Sequence, residues 1–159
     1  MASNEKLLKP NVILKYSLNT VVVSTIIGIS LAAFEFLSDI VLPSSLNQVS
    51  LLVAVIFASS KFAKAEKRKM MNSERVIYAS GVTVGSFLVG SIVFGAIFIY
   101  YDIPIGVEGL NLLLGAKASG APDLSIYLVI GVLVTILLWL LSYCFVWIMT
   151  SQMAKKLKT

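Results

Sequence analysis

Beyond Asn11 and Lys15 at its start, two side chains able to carry charge or strong hydrogen bonds stand inside a long apolar run, Asn19 and Glu35 in "NVILKYSLNTVVVSTIIGISLAAFEFL", residues 11–37. A carboxylate at the centre of a membrane would be a candidate proton carrier or cation site, because an ionisable group there is costly and is kept only when paired or used. Glu35 falls close to the end of the run, where it reaches water by extending, so a contact at the membrane surface is the expectation. Asn19 lies deeper, and a hydrogen bond to another helix is its expected use. Little other chemistry is on offer. The chain has no His, and its single Cys144 has no partner for a disulfide or a Cys/His metal site. No Ser/His or paired-Asp constellation and no phosphate-cradling loop stands out, which argues for a non-enzyme without cofactor or metal. A string of intramembrane acids, an Arg ladder and a glycine-interrupted pair of helices are also missing, so a proton relay, voltage sensor or coupled transporter lacks its usual mark.

The elements that position these groups are set by hydropathy. With 58% hydrophobic and 13% charged residues, the chain cannot cover its apolar surface with polar groups. The expected fold is all-α: a polytopic membrane protein, one domain over residues 1–159, built as a four-helix transmembrane bundle. Spans are expected at about 11–37, 46–65, 74–101 and 122–153, each long enough for a hydrocarbon core of about 30 Å. Continuous apolar runs, rather than alternating ten-residue segments, argue against a barrel. The first run is too long for a signal-peptide core and no small-x-small cleavage pattern follows it, so it is expected to stay in the mature chain. Asn72 or Ser73 is the expected cap of the third helix, with Glu74 in its first turn, and Pro122 and Asp123 mark the start of the fourth. The connection at 102–121 carries "GLNLLLGAK" and is expected to lie at the membrane surface, with a short interfacial helix as one form it can take.

Basic residues are distributed unevenly. "SSKFAKAEKRKMMNSER", residues 59–75, holds Lys61, Lys64, Lys67, Arg68, Lys69 and Arg75. Lys6, Lys9 and Lys15 stand at the start of the first span and Lys155, Lys156 and Lys158 after the last, which puts 12 of the 13 Lys and Arg residues on one side and only Lys117 on the other. The positive-inside rule therefore predicts an inner (cytoplasmic) membrane protein with both termini and the middle loop in the cytoplasm. The cluster can also touch anionic lipid headgroups. Nucleic acid is excluded as a partner, because Phe62 alone supplies no stacking platform and no recognition module is present.

Small residues mark the faces that approach another backbone. Ser24, Gly28 and Ala32 recur every fourth residue in the first span, and Gly81 and Gly85 form a G-x-x-x-G in the third, followed by Gly90 and Gly95 with intervening serines. Such spacings allow close helix contact, either inside the fold, with a second copy of the chain, or with a membrane-inserted protein partner. Trp139, Tyr143 and Trp147 form a ridge at four-residue steps, expected to pack on the small residues of span one or three. At the outer end, Glu35, Leu110 and Leu113 are the candidate contacts for a partner arriving from outside.

The layout of a second span ending in "KFAKAEKR", a polar break, and "SERVIYASG" opening a small-residue-rich third span resembles a family of uncharacterised four-span bacterial inner-membrane proteins, on a motif confined to about residues 59–81. In architecture, four spans with both ends cytoplasmic, the chain is similar to the immunity proteins that protect bacteria from pore-forming bacteriocins. That likeness implies a non-enzymatic protein that binds a toxin's or effector's helices within the bilayer. A small oligomeric transporter or channel subunit, and an accessory subunit of a larger membrane complex, are the alternatives.

Overall fold

The computed structural model describes residues 7–38, 40, 45–113 and 124–157, with side chains described except at 45–48 and 113. Among these residues all regular structure is helical, in the order α1 Pro10–Ser38, α2 Ser45–Glu66, α3 Asn72–Tyr100, α4 Val107–Leu113 and α5 Leu124–Lys156. α1, α3 and α5, of 29, 29 and 33 residues, are long and apolar enough to cross a membrane. At 1.5 Å per residue each is about 43 Å or longer, well beyond a hydrocarbon core of about 30 Å. α2 is shorter and carries Lys61, Lys64 and Glu66 in its last turns. Pro122 and Asp123, expected at the start of the last helix, and Lys117 lie outside the described residues.

Helix boundaries follow local chemistry. Pro10 opens α1, where its missing N–H costs nothing, and the Lys9 carbonyl accepts from the amide of Val12 at 2.9 Å. α2 closes at Lys67, which takes a left-handed φ of 51° after its amide has bonded to the Ala63 carbonyl. α3 begins differently from the expectation. Neither Asn72 nor Ser73 caps it; the Met71 amide donates to the Glu74 carboxylate at 2.9 Å while the Met71 carbonyl accepts from Arg75. This is the acidic half of a capping box, with Glu74 reaching back over the first turn.

The contacts divide the chain into two compact units. The first comprises the chain up to Gly85 together with Trp139–Thr159. In it α2 runs antiparallel to α1, as the pairs Tyr16 with Phe62 and Ser24 with Ser50 require. α3 runs parallel to α1, with Gly81 against Ser17 and Gly85 against Val21, and antiparallel to α5, with Ser80 against Trp139 and Arg75 against Tyr143. Ile13, Val55, Phe62, Met70, Tyr78, Val82 and Val146 form the core. Within lipid the apolar part of such a core gains little over lipid contact. Close backbone approach and hydroxyl pairs, worth about 0.6–2 kcal/mol each, therefore decide how these helices register.

The second unit, Ser86–Leu138, holds the last turns of α3, the α3–α4 turn, α4 and the first half of α5. Asp102 turns the chain with φ 52°, and the Ile103 amide returns to the Phe98 carbonyl at 2.9 Å. α4 then folds back so closely that a Cβ at Gly109 would collide with the Pro104 carbonyl oxygen. Tyr127 of α5 donates its hydroxyl proton to the Asn111 amide oxygen of α4. Along α3 and α5 this unit leaves most of its large apolar side chains exposed, Phe87, Ile92, Leu128 and Leu133 among them.

Candidate functional site

The most heavily bonded side chain is one the sequence offered only as a helix-start acid. Glu74 has no exposure to solvent, and its carboxylate accepts four hydrogen bonds. One oxygen takes the Leu8 amide at 3.0 Å and an Arg68 nitrogen at 2.6 Å; the other takes the second Arg68 nitrogen at 2.8 Å and the Met71 amide at 2.9 Å. Arg68, 11% exposed, also donates to the Lys69 carbonyl and lies 5.4 Å from the centroid of the Phe62 ring. The bidentate pair thus ties the segment before α1, the α2–α3 turn and the first turn of α3 into one joint. With two donors on each oxygen, the carboxylate has no free acceptor position for a substrate proton or a metal. Its work is structural.

The basic cluster separates accordingly. Lys61, Lys64, Lys67 and Lys69 are exposed. Arg68 is spent on Glu74, and Arg75 stacks over the rings of Tyr143 at 4.9 Å and Trp147 at 5.6 Å while donating to the Asn72 side chain. Trp139 stacks on Tyr143 with centroids 5.5 Å apart and bonds Ser80 through its indole N–H at 3.1 Å. The aromatic ridge of α5 therefore meets α3 through an arginine and a serine, and the cation–π contacts fix Arg75 along it.

The small-residue faces also separate. A Cβ on Gly81 would come 2.6 Å from the Ser17 hydroxyl oxygen, and one on Gly85 would come 2.8 Å from a Val21 methyl, so both glycines are filled by α1. Gly28, Gly90 and Gly95 have nothing within 4 Å of that position. Ser24 bonds Ser50 of α2 at 3.3 Å, while Ala32 is exposed. Asn19 makes no hydrogen bond among the described residues; polar contacts of α1 to its neighbours include those of Ser24 and of Thr20, whose hydroxyl lies 2.6 Å from that of buried Tyr78. No spacing rule in a single sequence pairs Thr20 with Tyr78, since the contact depends on the register of two helices 58 residues apart.

Of the outer-end candidates, Glu35 is half-buried on α1. Leu110 lines an apolar groove of about 370 Å³ in the second unit, together with Phe94, Phe98, Ile99 and Ile105. The Leu113 side chain lies outside the described residues. Cys144 is exposed on α5, and among the described residues no three of His, Cys, Asp and Glu gather at metal-binding distance.

No family model, curated protein or solved structure matches the chain.

Proposed function

We propose that the chain is a bacterial inner-membrane binding protein, most specifically an immunity protein that neutralises a pore-forming toxin or secreted effector through helix contacts in the bilayer. In this reading α2 crosses the membrane too and brings the spans to four, both termini are cytoplasmic, and the protein is not an enzyme and takes no cofactor. The exposed lysines at 61, 64, 67 and 69 then meet the cytoplasmic leaflet, in keeping with the positive-inside distribution.

The observation that carries the reading is the contrast along α3. Gly81 and Gly85 are closed by α1, whereas Gly90 and Gly95, further along the same helix, face open space beside exposed Ile92 and Phe94. Glycines without a neighbour allow an arriving helix to approach at backbone distance, where dispersion contacts and lipid release favour association. A saturated Glu74 supports a binding role over a chemical one.

The test is protection of the membrane potential. The chain is expressed in a susceptible bacterium and challenged with the pore-forming protein encoded beside its gene, with potential followed by dye fluorescence. The expected result is retained potential, lost on Gly90→Leu or Gly95→Leu at unchanged membrane levels. Collapse identical to the empty vector, with the protein verified in the membrane, would sink the proposal and favour an accessory subunit or a small transporter.

A further inference from the structure

Ser59, Thr83 and Ser142 are 0%, 8% and 1% exposed, and none of their hydroxyl oxygens has a hydrogen-bond partner among the described residues. A buried hydroxyl left in that state is costly. Three other buried hydroxyls of the first unit escape the cost by bonding the carbonyl four residues back, Ser17 to Ile13 at 3.2 Å, Thr20 to Tyr16 at 3.0 Å and Thr150 to Val146 at 2.6 Å, while those of Ser50 and Tyr78 meet the hydroxyls of Ser24 and Thr20. Ser59, Thr83 and Ser142 do not take that route.

They come from three different helices and fall within about two helical turns of one another along the bundle. The pairs Tyr16 with Phe62 and Ser24 with Ser50 set Ser59 of α2 level with Ser17 of α1, which in turn lies against Gly81 of α3. The pairs Trp139 with Ser80 and Thr150 with Met70 set Ser142 of α5 level with Ile77 or Tyr78. On the scale of α3 the three hydroxyls therefore fall between about residue 77 and residue 83, an axial range of about 9 Å at 1.5 Å per residue. No direct bond reaches across the whole of that interval, whereas two or more linked waters, each making about three hydrogen bonds when buried, can.

We propose that Ser59, Thr83 and Ser142 hold a small cluster of ordered water inside the first unit, joining α2, α3 and α5 at the depth of the Thr20–Tyr78 bond. Water fits better than a cation. Among the described residues the one fully buried carboxylate, Glu74, accepts four hydrogen bonds already, and the three hydroxyls bring no charge to offset an ion's desolvation. The inference does not depend on the toxin-binding reading.

The first test is a crystal structure of the full chain at a resolution that shows solvent. Density within hydrogen-bond reach of at least two of the three oxygens is the expected result. Hydroxyls that turn instead onto their own helix carbonyls, with no solvent between, would overturn the proposal. The second test is thermal denaturation in detergent of Ser59→Ala, Thr83→Val and Ser142→Ala. Each exchange removes a hydroxyl at nearly constant volume, so loss of a water partner lowers the midpoint by several degrees, whereas relief of a dry, unpartnered hydroxyl raises it. A midpoint that is unchanged or raised in all three variants would count against the water cluster, and the crystal structure decides even if a variant fails to fold.

Discussion

Glu74 is a charge taken fully out of water, and the four donors around it are what make that tolerable. Breaking a buried ion pair from one side strands the other charge and costs about 3–5 kcal/mol, whereas replacing both members with apolar groups of similar volume is often neutral. Arg68→Met and Glu74→Leu are therefore each expected to lower stability by about 3 kcal/mol, with Arg68→Met/Glu74→Leu recovering a large part of the loss. Denaturation in mixed detergent micelles measures the coupling, and strictly additive losses would contradict it. The role of Glu74 was only half legible in the sequence. Its place in a first turn could be read from the polar break before an apolar run, but its partner could not. Arg68 stands among five other basic residues between 59 and 75, and which of them turns inward is decided by the left-handed backbone at Lys67, not by composition. Arg75 hid in the same way, since its aromatic neighbours come from α5.

Helices, by contrast, announce themselves through apolar length: all four stretches expected from hydropathy are helical, and α1, α3 and α5 are the three long and apolar enough to cross a membrane. Their faces are harder to read. The glycines of α3 look equivalent in the sequence, all four standing in small-residue spacings, yet two are filled and two are open. The reason is register: a G-x-x-x-G pattern reports that a backbone can come close, and the neighbouring helix decides where it does. Gly85→Leu must push a branched side chain into Val21, and a penalty of about 1–3 kcal/mol is expected from overpacking. Gly90→Leu meets no neighbour and is expected to leave stability unchanged or slightly raised through helix propensity. Comparing the thermal midpoints of the two variants in detergent checks this directly. Equal losses would mean that Gly90 is packed after all.

At the scale of the whole molecule, long helices apolar enough to cross a membrane were legible from composition, because no arrangement of its few polar residues could cover so much apolar surface. Orientation was legible only as a charge bias, and it makes a prediction of its own. On a Cys144→Ser background, Glu108→Cys is expected to react with an impermeant maleimide on intact cells, and Lys64→Cys only after permeabilisation. The opposite labelling pattern would invert the proposed topology. The joint around Glu74 adds a dimension of time. Leu8, Arg68, Met71 and Glu74 have all been synthesised once α3 begins to emerge, but the Met70 amide in the same turn bonds to the Thr150 hydroxyl, 80 residues further along. At about 5–20 residues per second, that delay is on the order of 10 s. For that interval the α2–α3 turn is clamped on one side and open on the other, and it closes only when α5 reaches it. A chain arrested before α5 therefore carries an unfinished turn beside a finished clamp.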